Sequence, residues 1–95
     1  MRAGDPYRRR HGLGPDDEID HGAPLAPFKQ LAAILSSRIT RGDWQPDRAI
    51  PSEQRLVQQY GIARATVRRA IALLVEQGVL YVVPQRGTYV RRADR

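Results

Sequence analysis

Between Gly61 and Gly78 the chain has room for only one kind of element. Val67, Ala70, Ile71 and Leu74 recur at i, i+3, i+4 and i+7, the signature of one side of an α-helix. Arg64, Ala65, Arg68 and Arg69 fall together on another side, near its start. A helix of this kind must lay its aliphatic stripe on a core, which commits the rest of the chain to building that core. Its other surface then presents guanidinium groups and the hydroxyl of Thr66 to solvent. Forked donors beside small residues are the chemistry needed to read guanine edges and phosphates at close approach.

The segments before it supply the core. Pro27 to Arg41 reads as a first helix, with proline tolerated in the first turn. Phe28, Leu31, Ala32, Leu35 and Ile39 form its apolar face, with Ile34 beside them. Arg38 and Arg41 complement the dipole in the last turn, and Gly42 is the expected stop. Asp43 to Pro51 is a connection. Trp44 is expected to anchor it on the core rather than stack on a ligand, and Ala49-Ile50 could form a very short strand. Ser52 to Tyr60 reads as a second helix, with Ser52 as N-cap, Glu53 suited to the first turn, and Leu56, Val57 and Tyr60 on its buried side. Gly61 ends it in the left-handed conformation, and Ile62 plugs the turn. Helix, short glycine-containing turn, helix is the helix-turn-helix spacing.

The third helix runs to about Gln77, with Gly78 as its cap. Leu80-Tyr81-Val82-Val83 and Thr88-Tyr89-Val90 are strand candidates, rich in branched and aromatic residues, around the turn Pro84-Gln85-Arg86-Gly87. They form a hairpin whose tip lies beside the surface of the third helix, the arrangement of a wing. The expected fold class is therefore mainly α with a small β-hairpin (α+β), a winged helix-turn-helix of three helices and a two-stranded wing.

Charge sharpens the reading. Of the 16 basic residues all but Lys29 are arginine, for a net +6 over 95 residues. Residues 1–22 hold four arginines against five acids, whereas residues 23–95 hold twelve basic residues against five acids. The patterned part is the basic part, which points to a polyanionic partner. Three units are expected: an N-terminal arm over residues 1–24, a folded domain over 25–92 and a tail over 93–95. Arg8-Arg9-Arg10-His11 in the arm could follow a phosphate backbone or a minor groove, or remain a solvated tail.

Other classes find little support. There is no cysteine for a disulfide framework or a thiolate zinc site. His11 and His21 lack metal-ligand spacing, Asp16-Asp17-Glu18 has no loop to shape a cation site, and no glycine-rich phosphate loop is present. No enzyme, cofactor or metal is expected. No apolar run approaches the ~18 residues of a membrane span, and residues 1–5 have no apolar signal region. A cytoplasmic location is expected by elimination. The competing reading is a protein-interaction module that presents an exposed patch drawn from Ile71, Leu73, Val75 and Val79. Three arginines at the start of the third helix weigh against it, since interaction faces favour apolar and aromatic anchors.

Pro51-Ser52-Glu53-Gln54-Arg55-Leu56, Tyr60-Gly61-Ile62, Arg64-Ala65-Thr66-Val67-Arg68, Glu76-Gln77-Gly78 and Arg86-Gly87-Thr88-Tyr89-Val90, in that order, resemble the DNA-binding domain of the GntR family of bacterial transcription regulators. The likeness covers roughly residues 27–91. It implies a winged helix-turn-helix that binds double-stranded operator DNA, usually as a homodimer on a palindrome, with repression the commoner outcome. It also implies roles for particular residues. Arg64 and Arg68 reach guanines or phosphates, and Thr66 holds a phosphate. Ser52 and Gln54 contribute from the second helix, and Arg86 and Gly87 from the wing. Arg55, Ala65, Arg69 and Thr88 complete the expected DNA-facing set.

Four departures from the family pattern stand out. Gln54 replaces a frequent arginine. Ala63 replaces a Ser or Thr cap worth ~1 kcal/mol. Asp47 follows Pro46 where glycine is usual, which opens that turn to a shifted geometry. Gln85 replaces a wing glycine, stiffening the tip. Family members usually carry a C-terminal effector-binding domain that also dimerises them. With the sequence ending at Arg95, a standalone domain without a small-molecule effector site is expected.

Overall fold

A computed structural model of the chain describes residues 13–92. The expectations for Arg8-Arg9-Arg10-His11 and for the tail at 93–95 lie outside the described residues. Three helices come first, α1 (Pro27–Arg41), α2 (Glu53–Tyr60) and α3 (Arg64–Glu76), and two strands follow, β1 (Leu80–Val83) and β2 (Gly87–Val90). The architecture is the winged helix-turn-helix of the sequence reading.

The core lies where the three helices meet the wing. Leu31, Ala32 and Leu35 from α1 meet Leu56 from α2, Val67, Ala70, Ile71 and Leu74 from α3, and Leu80 and Val90 from the sheet. The four α3 residues are the ones whose spacing marked its apolar side. Because Ile71 is only 8% exposed, and Leu73, Val75 and Val79 pack half-buried on the same cluster, the apolar interaction patch drawn from these four does not form. Among the described residues the large hydrophobic side chain left exposed is Val82, on the wing.

Each helix boundary has a local cause. Ser52 Oγ accepts from the Arg55 amide at 3.2 Å, satisfying one of the free N–H groups that open α2. Gly61 sits at φ 66° and donates back to Val57 O, which stops α2 and turns the chain so that Ile62 plugs into the core at 7% exposure. Ala63 opens α3 with no side-chain cap, the loss foreseen for an alanine there. At the far end of α3, Gly78 at φ 78° lets the Gly78 amide reach Val75 O and the Val79 amide reach Leu74 O. This paired closure satisfies two end carbonyls and aims the chain into β1.

The α1 helix is buried on more sides than its spacing suggested. Leu31, Ala32, Ala33, Ile34 and Leu35 are all fully buried, as are Gln30 and Ser37 to within a few per cent. A helix that is apolar all round requires packing on two sides. One side is the main cluster. Along the other, the segment preceding the helix is pinned by Gln30, whose side-chain amide pairs with both the amide and the carbonyl of Asp20 and also reaches Leu25 O. Ile19 packs on the core, and Asp16 pairs with Arg41 at 3.0 Å. Trp44 anchors the following loop as expected, with the Arg38 guanidinium 4.4 Å above its ring.

The wing is an antiparallel pair in the register Leu80↔Val90, Tyr81↔Tyr89, Val82↔Thr88 and Val83↔Gly87. A third segment joins its edge. Ala49 bridges Tyr89, the Ile50 amide donates to Thr88 O, and the Asp47 amide donates to Val90 O. Asp47 lies in this segment. It takes φ 64°, the left-handed region that glycine enters freely, although it is not a glycine. Its carboxylate accepts from Tyr81 OH at 2.8 Å and from Arg92, contacts that offset the backbone cost.

Candidate nucleic-acid interface

The surface predicted from sequence is assembled by three elements: the start of α2, the first two turns of α3, and the wing tip. Arg64 and Arg68, one turn apart on α3, keep side-chain exposures of 49% and 63%. Both lean toward α2, where Glu53 receives them. Arg64 Nη1 lies 3.1 Å from Glu53 Oε1, and Arg68 Nε lies 3.1 and 3.2 Å from its two oxygens. Arg64 keeps Nε and Nη2, and Arg68 both terminal nitrogens, without a hydrogen-bond partner among the described residues. A guanidinium anchored by one edge and open along another can still dock on a second acceptor pair.

The other predicted positions fall into place less uniformly. Ala65 is exposed between the two arginines in sequence, and Thr66 is half-buried. Arg69 leaves the cluster. Its guanidinium lies 4.0 Å over the ring of Phe28, on the first turn of α1, so it flanks the surface from the α1 side. Ser52 has its oxygen engaged in capping, while Gln54 and Arg55 project exposed from the first turn of α2. On the wing, Arg86 is exposed at the tip, Gly87 sits at φ 141°, and Thr88 is half-buried in β2. Gln85 takes φ 67°, so this non-glycine residue accepts the left-handed conformation that the turn requires.

A groove joins these parts, lined by Ser52 and Glu53 of α2, Ile71 of α3, and Val82, Arg86 and Thr88 of the wing. A larger cleft of about 470 Å³ lies away from it, between the leading segment and α1, lined by Leu13, Ala23, Leu25 and Gln30. None of the predicted basic residues lines that cleft. Among the described residues no cluster of His, Cys, Asp and Glu is arranged to hold a metal ion, and no helix is long and apolar enough to cross a membrane.

Sequence reasoning missed the role of Glu53, which it read only as a first-turn acid. No local spacing reveals it, because its partners lie 11 and 15 residues away and meet it only once the turn has folded. A second ionic knot lies at the end of α1. Asp43 accepts from Arg41 and Arg38, each at 2.8 Å, and Arg38 also reaches Tyr60 OH. Hydrogen bonds from Arg41 and then Arg38 hold the Asp43 carboxyl well below the usual carboxylate range. On the wing, the hydrogen bond to the Asp47 carboxylate pushes the Tyr81 phenol up.

Residues 27–90 match the family described as bacterial regulatory proteins, gntR family. The transcriptional repressor NagR of Bacillus subtilis is 39% identical over 74 residues, covering 78% of this chain and 30% of the relative. The mannosyl-D-glycerate transport/metabolism system repressor MngR of Escherichia coli is 39% identical over 64 residues, covering 67% of this chain and 27% of its own length. This chain thus spans about 30% of the length of these curated relatives. Among solved structures, the DNA-binding domain of AraR in complex with operator ORE1 superposes with a TM-score of 0.70 at 40% identity, covering 82% of this chain and 98% of that one. YtrA from Sulfolobus acidocaldarius, a GntR-family transcription factor, gives a TM-score of 0.71 at 29% identity over 79% of each chain. With the family match covering all three helices and the wing, and with these relatives alongside, the chain belongs to the GntR family of bacterial regulatory proteins.

Proposed function

We propose that this domain binds double-stranded operator DNA sequence-specifically and represses transcription. In this reading α3 lies in the major groove, and the wing rests on the minor groove or the flanking phosphates. The carrying observation is the pair Arg64 and Arg68, exposed on the first two turns of a helix that its aliphatic side locks in place, with part of each fork open. Support comes from the AraR domain, a relative of the same fold solved on an operator. The site set is Ser52, Gln54 and Arg55 on α2, Arg64 to Thr66, Arg68 and Arg69 on α3, and Arg86 to Thr88 on the wing. Two copies on a palindrome, half-sites one helical turn apart, are the arrangement that suits a recognition helix of this type. The site of action is the nucleoid, in the cytoplasm.

The test is selection of bound sites from a randomised duplex library, followed by fluorescence anisotropy on the recovered sequence across a salt series. A recovered consensus with two-fold symmetry is expected, with affinity falling steeply between about 50 and about 200 mM salt. Recovery of no consensus, or an affinity insensitive to salt, would refute the proposal.

A further inference from the structure

Glu53 is the one acid among the side chains gathered at the proposed interface, and a duplex seated there would bring phosphates toward it. A carboxylate so placed lowers attraction for every DNA sequence alike. An acid anywhere in the first turn of α2 would satisfy the helix dipole, and exposed Gln54 occupies a neighbouring position where an acid would be as favourable. The dipole therefore does not account for where this acid stands. Its contacts do. One carboxylate takes Arg64 Nη1 through Oε1 and Arg68 Nε through both oxygens, gathering two flexible side chains from successive turns of α3.

The geometry has two effects with the same sign. Arg68 is held through Nε, which leaves its paired terminal nitrogens unbonded to Glu53 as a fork, the shape that meets a guanine edge. Part of the ordering that would otherwise fall due on binding is thus done beforehand. The single negative charge also offsets one of the two positive ones, which weakens phosphate-only binding at sites where the forks find no matching base.

We infer that Glu53 is a specificity-determining positioning residue: it orients Arg64 and Arg68 for base reading and suppresses binding to non-operator DNA. This inference rests on the DNA-binding reading above. The full chain would be compared as wild type, Glu53→Gln and Glu53→Asp, on the duplex recovered by wild-type selection and on poly(dI-dC), over a salt series. Glu53→Gln is expected to tighten binding to poly(dI-dC), steepen its salt slope by about one unit, and cut the ratio of specific to non-specific affinity at least about tenfold. Glu53→Asp keeps the charge but shortens the reach. It should leave poly(dI-dC) affinity near wild type while still lowering the ratio. In the DNA-free protein, the Arg68 Nε–H signal should exchange with water more slowly in wild type than in Glu53→Gln.

A ratio unchanged within twofold in a folded Glu53→Gln, or equal weakening on both duplexes, would overturn the inference while leaving DNA binding intact. Should Glu53→Gln fail to fold, an unchanged ratio in Glu53→Asp would overturn it just as well. Failure of the wild type itself to bind DNA would remove the underlying reading instead.

Discussion

Replacing Arg64 and Arg68 together by alanine tests the interface most directly, because the structure sets what should be lost and what should survive. Both side chains are half-exposed or more, and their ion pairs with Glu53 are of the solvent-screened kind, worth about 0–1 kcal/mol each. Alanine favours helix over arginine, and the buried α3 residues Val67, Ala70, Ile71 and Leu74 are untouched. The domain should therefore melt cooperatively within a few degrees of wild type. Binding should suffer far more. Two bidentate base contacts at about 1–3 kcal/mol each amount to about 2–6 kcal/mol, or roughly 30-fold to 10⁴-fold in Kd. Glu53, left with no arginine to receive, adds its repulsion to the loss. Anisotropy with the selected duplex measures the effect, and circular dichroism controls for folding. The salt slope then sorts the contacts. It should fall by about two units if both arginines sit on phosphates and stay nearly constant if both read bases. A folded double variant that binds its selected duplex within twofold of wild type would refute the assignment of α3 as the reading helix.

Leu74→Ala, at a fully buried position, should cost about 2–5 kcal/mol, a large share of a small domain's stability, measured by urea denaturation. Gln30→Leu fills similar volume but strands the Asp20 amide and carbonyl and Leu25 O; it should cost about 2–4 kcal/mol, speed hydrogen exchange at the Asp20 amide and leave duplex affinity unchanged. Asp43→Asn should lower the melting temperature at pH 7. Because the folded carboxyl titrates below its unfolded value near 4, its stabilisation is whole above that pH and is lost as the pH falls below it, so the gap between variant and wild type should close in acid. A gap constant from pH 7 to pH 2 would show that the negative charge of Asp43 contributes nothing to stability.

What could be read from sequence was what repeats or terminates locally. The i, i+3, i+4, i+7 positions of α3 are the residues buried, and Ser52, Gly61 and Gly78 act where they were expected, because capping depends on a few neighbouring atoms. The second buried side of α1 was not legible. Ala33 and Ser37 are compatible with either solvent or interior, and what decides is the docking of the preceding segment by Gln30, a contact between distant parts of the chain. Helical phase placed Arg69 with Arg64 and Arg68. It could not show that the ring of Phe28, some forty positions earlier, would draw that guanidinium aside. Asp47 shows the limit from the other direction. Aspartate is a poor substitute for glycine by propensity, yet tertiary partners in Tyr81 and Arg92 let it take glycine's conformation.

The edge contacts of Ala49 and Ile50 with β2 bear on how the domain can move. These residues run directly into the cap of α2, so the hairpin is stitched to the same stretch that launches the helix-turn-helix. The wing is therefore tied by backbone hydrogen bonds to the segment that leads into α2. On a duplex bound in the proposed way, the contact beneath α3 and the contact beneath Arg86 would be separated by a distance set by this stitching. An extra base pair between them would displace one by about 3.4 Å along the axis and about a tenth of a turn around it, and the chain could not follow both. If two copies bind a palindrome as proposed, variation in operator spacing is confined to the gap between half-sites, and each half-site behaves as a word of fixed length.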